Sequence, residues 1–305
     1  MKTNTEMSLP DIILAVVFCI LLGANTVAAK ISFDGFGLFT VAALRFSTAA
    51  VILLWLAVRS DSLKIEKKYL KKTLIMTAIF SVQYFFIFWG LSKTNVSRAV
   101  LLIYSQPFFI LILSHLFIAG DRITFKKLLG MIIGFCGVLL LFVFKKNIAA
   151  DFMMGDVLIL IGAFLWAANA VYFKSFIHNT SIVTITFYHT LLSVPIFCTG
   201  AFIFDEVMFK VLSAQAICAL VYQGLVTAFG FIALSFLLKK YQASLVHSFL
   251  FISPLSGVLL GILLLNEPFT INIFFALILL SIGIIIVHYS KKNAYGGGNK
   301  EKNSY

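Results

Sequence analysis

The side chains able to do chemistry in this sequence are few, and they lie inside long apolar runs. Arg45 stands in Ala-Ala-Leu-Arg-Phe at 42–46. A charge at that depth costs a few kcal/mol unless it is paired or reaches water. Arg45 either binds an anionic group of a solute or snorkels outward to clamp a loop or helix end. Its place only about eight residues from the end of its run favours the second. His189, in Thr-Phe-Tyr-His at 186–189, is its counterpart 144 residues further on. Gln83, beside Tyr84, and the Tyr104-Ser105-Gln106 group before Pro107 carry hydrogen-bonding capacity that lipid cannot satisfy, so they face other helices or a cavity. A sixth run holds Trp166 and Asn169, and a ninth holds His247, Ser253 and Ser256. An intramembrane histidine such as His247 can relay protons, but a hydrogen-bonded structural role is the commoner one.

The missing groups narrow the chemistry further. Asp11, Asp34, Asp121, Asp156, Asp205, Glu206 and Glu267 all fall at the ends of apolar runs. Proton or sodium coupling through a buried carboxylate therefore has no evident carrier. Cys19, Cys136, Cys198 and Cys218 lie in apolar runs at no metal-ligand spacing and read as small buried hydrophobes. No metal or cofactor is expected. There is no G-x-x-x-x-G-K-[ST] loop and no loop long enough for a nucleotide-binding domain, so an ATP-driven pump within this chain is not expected. The rival reading is a membrane-embedded enzyme acting on lipid or prenyl phosphates. It would need clustered aspartates or a His/Asp/Ser constellation near a membrane face, and neither stands at useful spacing.

The elements that must position these residues follow from composition. Of 305 residues, 61% are hydrophobic and 12% charged, with mean hydropathy +1.03; soluble domains carry roughly 25% charged residues. Ten uninterrupted apolar runs, at about 11–29, 37–58, 71–91, 97–118, 126–144, 155–176, 182–204, 213–237, 243–265 and 271–289, predict ten transmembrane helices. Their continuity argues against a β-barrel. The fold class expected is an all-α polytopic membrane protein. With both termini cytoplasmic, 17 of the 24 lysines and arginines fall on the cytoplasmic side and six on the other, with Arg45 inside a span. That bias accounts for the net charge of +12, so no nucleic-acid partner is implied. The lysine-rich segment 59–72 suits lipid headgroups.

The chain also repeats itself. Pro107 matches Pro254 at an offset of 147, and the Gly-Asp-Arg-Ile-Thr corner at 120–124 matches Asn-Glu-Pro-Phe-Thr at 266–270. Gly23-Ala-Asn25-Thr-Val returns as Ala167-Ala-Asn169-Ala-Val, and Lys30 as Lys174. A first span copied in the second half is structural rather than a cleaved signal peptide. Five spans are followed by five more, and an odd-numbered repeat must enter the membrane from opposite sides. Inverted topology of this kind is a recurring plan of secondary transporters. Pro107 and Pro254 each remove a backbone donor and free the carbonyls of Ile103 and Leu250, as solute contacts or as kinks. Gly130, Gly134 and Gly137 form one small-residue row and Gly257 with Gly261 another, for close packing within a monomer or between two.

Ten spans in two inverted fives, the Gly-Ala-Asn end of the first span, Leu44-Arg45-Phe46 and the two acidic corners together resemble the EamA family, the ten-helix branch of the drug/metabolite transporter superfamily. Gly23 stands where that family usually has Trp, and Asp121 where Glu is commoner. The resemblance implies two EamA repeats at 11–145 and 155–290, flanked by a cytoplasmic N-terminus at 1–10 and a disordered tail at 291–305. It further implies a secondary transporter of the inner, or plasma, membrane, exporting amino acids or related metabolites by alternating access. A cavity between the first, third, fourth, sixth, eighth and ninth spans would then be lined by Asn25, Gln83, Tyr104, Gln106, Trp166, Asn169, His247 and Ser253. Arg45, Pro107, His189 and Pro254 would act in gating or structure. The partners expected are a small-molecule metabolite and the lipid bilayer, with a homodimer left open.

Overall fold

The computed structural model describes residues 6–91, 93, 102–142, 154–265 and 271–289. Expectations resting on the Lys30 side chain, the surroundings of Gly261, Arg98, Lys145, Lys146, the 266–270 corner and the 291–305 tail lie outside what the structure describes. Among those described there are eleven α-helices: α1 (Leu9–Gly35), α2 (Leu38–Arg59), α3 (Lys67–Leu91), α4 (Gln106–Phe117), α5 (Phe125–Phe142), α6 (Met154–Phe176), α7 (Ile182–Phe204), α8 (Ala214–Lys240), α9 (Ala243–Ser248), α10 (Ile252–Leu265) and α11 (Ile271–His288). Six of them, α1, α2, α3, α6, α7 and α8, are long and apolar enough to cross a membrane. The helices make ten spans, because α9 and α10 together form the ninth.

The prolines do something different from bending a continuous helix. Ahead of Pro107 the chain leaves the helix in a turn at Tyr104 and Ser105, and α4 begins at Gln106 with the proline in its first turn. In the second half a tight 3₁₀ turn over Phe249–Phe251 separates α9 from α10, which again carries its proline in the first turn. Proline has no N–H to lose at a helix start, so each span is broken just before it. The two breaks are matched in the two halves.

Packing is matched as well. Helix α1 lies against α8 as α6 lies against α3; α1 meets α10 as α6 meets α4; α2 meets α8 as α7 meets α3. The pairs α2–α7 and α5–α11 are their own counterparts. Exchanging the halves leaves these pairings unchanged, as a pseudo-two-fold axis requires. The glycine rows act within the chain. A Cβ on Gly283 of α11 would lie 2.6 Å from both Gly130 O and Gly134 N of α5, so only hydrogen lets these helices meet. Gly23 is used in the same way. A Cβ there would fall 2.4 Å from Ser253 O and 2.9 Å from Gly257 N, against α10.

Outward faces carry Trp55, Phe117, Phe125, Phe202 and Phe275. Cys19 is buried, but Cys136 and Cys218 are exposed. The expectation that all four cysteines are buried is corrected for those two: an apolar outer face suits a thiol in lipid as well as a core does.

Polar groups are tied at the span ends. Asp205 accepts from Phe39 N at 3.1 Å, from Thr40 N at 2.7 Å and from Thr40 Oγ1 at 2.8 Å, capping α2. At the opposite end Thr184 and Tyr188 of α7 donate to the carbonyls of Ser62 and Leu63. There Asp121, fully buried, pairs with Lys127 at 2.6 Å and receives Ser244 N at the start of α9. Lys174 donates to the carbonyls of Leu238 and Tyr241 where α8 ends, and Asp11 accepts from Tyr241 at 2.6 Å and from Lys240 at 2.9 Å.

Burial alone would raise the Asp121 carboxyl, but the Lys127 ammonium and the bonds from Ser244 more than offset it and hold it below the usual carboxylate value. A carboxylate lowered in the folded state stabilises above its unfolded pKa, and that contribution is lost as pH falls through the folded one. Asp121→Asn, which removes the buried carboxylate that Lys127 Nζ pairs with, is expected to cost about 3 kcal/mol at pH 7. The deficit should shrink progressively below about pH 4, the ordinary aspartate range. Thermal unfolding of both proteins from pH 7 downward checks this, and a gap that does not narrow contradicts it.

Candidate binding cavity

A cavity of about 160 Å³ lies between α1, α2, α3, α6, α7 and α8, with Leu250 of the 3₁₀ turn at its edge. Its wall is mostly aromatic. Phe46 stacks on Phe197 at 4.9 Å and meets Phe80 edge-on at 5.4 Å, and Phe18, Trp166, Phe173 and Phe231 complete the lining.

Four of the polar residues in that wall form two symmetric pairs. Asn25 on α1 and Asn169 on α6 both border the cavity, as do Arg45 on α2 and His189 on α7. Each pair is related by the 144-residue offset. The pseudo-two-fold axis therefore passes through this space. Arg45 points inward: its Nη2 donates to the Tyr84 hydroxyl at 2.9 Å, and its guanidinium lies 4.7 Å over the Phe46 ring. His189 Nδ1 lies 3.0 Å from Thr77 Oγ1, and its ring packs at 4.7 Å on Phe80. The Thr77 hydroxyl already donates to Thr73 O at 2.8 Å. It has no second hydrogen, so the Nδ1–H of His189 must donate to it, which leaves Nε2 of the neutral ring as an acceptor.

Nine buried side-chain polar atoms among the described residues lack a hydrogen-bond partner. Four of them, Asn25 Oδ1, Arg45 Nε, Gln83 Oε1 and Asn169 Oδ1, belong to residues of this one cavity. A buried polar atom left unpaired costs about 1–3 kcal/mol, and a concentration of such atoms at one place marks a site built for something else to bind.

Of the residues expected to line a cavity, Asn25, Gln83, Trp166 and Asn169 border it, and Tyr104, Gln106, His247 and Ser253 do not. Tyr104 packs with Val138, Phe251, Leu255 and Leu280 behind it. Gln106 is buried at the start of α4. His247 is buried with Nδ1 at 2.9 Å from Ala243 O, one turn back, and Ser253 is buried at the start of α10, where its carbonyl faces Gly23. Pro107 and Pro254 sit at helix starts outside the lining. Thr186, Thr227 and Ser235 are polar lining residues that the sequence reading passed over. Thr186 lies one helical turn from His189, and that spacing was the available signal.

A second space of about 390 Å³ opens at the end of the bundle where α2 begins, ringed by Leu38, Phe39, Phe85, Phe88, Trp89, Phe204 and Asp205. Between it and the central cavity stands a chain of rings: Phe39 on Phe88 at 5.1 Å and Phe88 on Tyr84 at 5.3 Å. The far limit of the central cavity is set by Phe173 and Leu238, next to the Lys174 cap.

Comparison with known proteins agrees with this geometry. Residues 9–143 and 153–289 each match the profile of the EamA-like transporter family. An uncharacterized transporter of Bacillus subtilis strain 168, YoaV, is 28% identical over 270 residues, covering 87% of this chain and 91% of its own. A protein of Escherichia coli K12 named as a probable amino-acid metabolite efflux pump is 26% identical over 291 residues, covering 92% and 95%. A crystal structure of another protein superposes with a TM-score of 0.79 at 18% identity, over 90% of this chain and 94% of that one, and shows the same fold.

Gln83, 1% exposed and with Oε1 unpartnered, separates site from scaffold. Gln83→Leu should keep or raise the melting temperature, because it removes a buried unsatisfied acceptor. Solute binding should weaken by about 1–2 kcal/mol, or about five- to thirty-fold. A fall of several degrees with binding intact would make Gln83 a scaffold residue.

Proposed function

The chain belongs to the EamA-like transporter family, and on that premise we propose that it is a secondary transporter exporting amino acids or related small metabolites across the inner, or plasma, membrane. The observation that carries this reading is the pair of symmetric pairs: Asn25 with Asn169, and Arg45 with His189, all on one cavity. Two halves that present matched residues to a shared space can exchange conformations and open that space to either side. In this reading the Phe39–Phe88–Tyr84 rings are one gate, and the Asp121–Lys127 and Lys174 network around α8 and α9 braces the other. The termini are cytoplasmic, following the lysine and arginine bias. The two EamA repeats are the moving bodies, and the metabolite and the surrounding lipid are the partners. A homodimer would have to use the lipid-facing surface, since the α5–α11 glycine row is filled within the chain.

The experiment is counterflow in proteoliposomes preloaded with an unlabelled amino acid or aromatic metabolite. Saturable uptake of the labelled solute at about tenfold or more above protein-free vesicles is expected, with loss of most of it in Phe88→Asp, which places a charge in the ring stack. Flux no greater than in empty vesicles across the twenty amino acids and their deaminated analogues would overturn the transport reading.

A further inference from the structure

Among the described residues bordering the central cavity, Arg45 is the one charged side chain. No described residue around it neutralises it. Its Nη2 bonds a neutral phenol, its Nε is buried with no partner, and the faces nearest it are the Phe46 and Tyr84 rings at 4.7 and 5.5 Å. No described Asp or Glu stands within ion-pair distance of it. Asp205, near the start of the same helix, is committed to three donors of Phe39 and Thr40. An arginine that only snorkelled would reach water or a helix end; this one is directed among aromatic rings into a space that also holds three unpartnered amide oxygens.

We propose that the cavity takes a small organic monocarboxylate with an aromatic or otherwise apolar body, its carboxylate paired with the Arg45 guanidinium. The proposal rests on this cavity being the transport site. A guanidinium offers parallel N–H donors that match a carboxylate. The site is cationic by one charge, so a monoanion neutralises it. A phosphate dianion would find no second cation on the described wall. The ammonium of a zwitterion would donate to the amide oxygens of Asn25, Gln83 and Asn169, but these are neutral and no described carboxylate on the wall offsets its charge, so the site would stay cationic by one. The body follows from Phe18, Phe80, Trp166 and Phe231, which give apolar faces on several sides. Among the metabolites of the proposed function, the deaminated relatives of aromatic amino acids fit better than the amino acids themselves.

The test is calorimetric titration of the purified protein with four probes of one shape: phenylacetate, phenylacetamide, phenylalanine and phenethylamine. Phenylacetate is expected to bind at least tenfold more tightly than each of the others. Arg45→Gln should weaken phenylacetate at least thirty-fold and phenylacetamide less than threefold, and Arg45→Lys should recover part of the loss. If Arg45→Gln does not fold, the preference among the four probes on the unaltered protein decides. Phenylalanine or phenylacetamide binding as tightly as phenylacetate overturns the proposal, as does a phenylacetate affinity indifferent to Arg45→Gln, or no binding by any probe. The two readings fail separately. Phenylacetate that binds selectively while no amino acid or deaminated analogue is carried into proteoliposomes refutes transport and leaves the ligand class standing. Phenylalanine carried without a preference for phenylacetate refutes the ligand class and leaves transport.

Discussion

A polar atom in hydrocarbon has no water to fall back on, so a membrane protein must pair each one internally or leave it unpaired for a reason. This constraint sorts the whole molecule. Backbone groups are paired within helices. At the span ends, where chain direction changes, carboxylates and lysines close the open helix termini: Asp205 at α2, Asp121 at α9 and Lys174 at the end of α8. Hydroxyls inside the spans bond back one turn, as Thr73, Thr77 and Ser193 do. With so much satisfied, the unpaired remainder stands out, and much of it gathers around one cavity on the axis that relates the two halves.

The axis explains why residues there come in pairs, one pair identical and the other unequal in chemistry. Gene duplication alone would have left identical residues at equivalent places, as it did with Asn25 and Asn169. At the neighbouring equivalent position one half has a fixed cation, Arg45, and the other a neutral ring whose Nε2 accepts, His189. A symmetric scaffold therefore surrounds an asymmetric site, which is what recognition of an asymmetric solute requires. The proposed alternating access needs packing around the cavity that is itself nearly symmetric, and the exchange of α1–α8 with α6–α3 and of α1–α10 with α6–α4 meets that need.

Much of this was legible in the sequence. The ten spans, the inverted repeat and the equivalences of Asn25 with Asn169 and Arg45 with His189 follow from run length and offset, which depend only on chain order. What spacing could not supply was the direction of a side chain around its helix. Tyr104, Gln106, His247 and Ser253 look as eligible as Gln83 on polarity. All four, however, lie beside the breaks that Pro107 and Pro254 introduce, where a turn or 3₁₀ segment shifts the helical register. Arg45 shows the same limit from the other side: its depth suggested an outward reach, and only its neighbour Tyr84 on α3, a contact across 39 residues, turns it inward.

The central claim is that this cavity on the pseudo-two-fold axis opens alternately to both sides of the membrane. Its most direct test is a single reporter, Asn169→Cys, in a background with Cys19, Cys136, Cys198 and Cys218 replaced, probed with a membrane-impermeant thiol reagent applied to sealed vesicles of either orientation. The account predicts modification from both sides, with each rate slowed by a bound solute. Modification from one side only, or from neither, would contradict it.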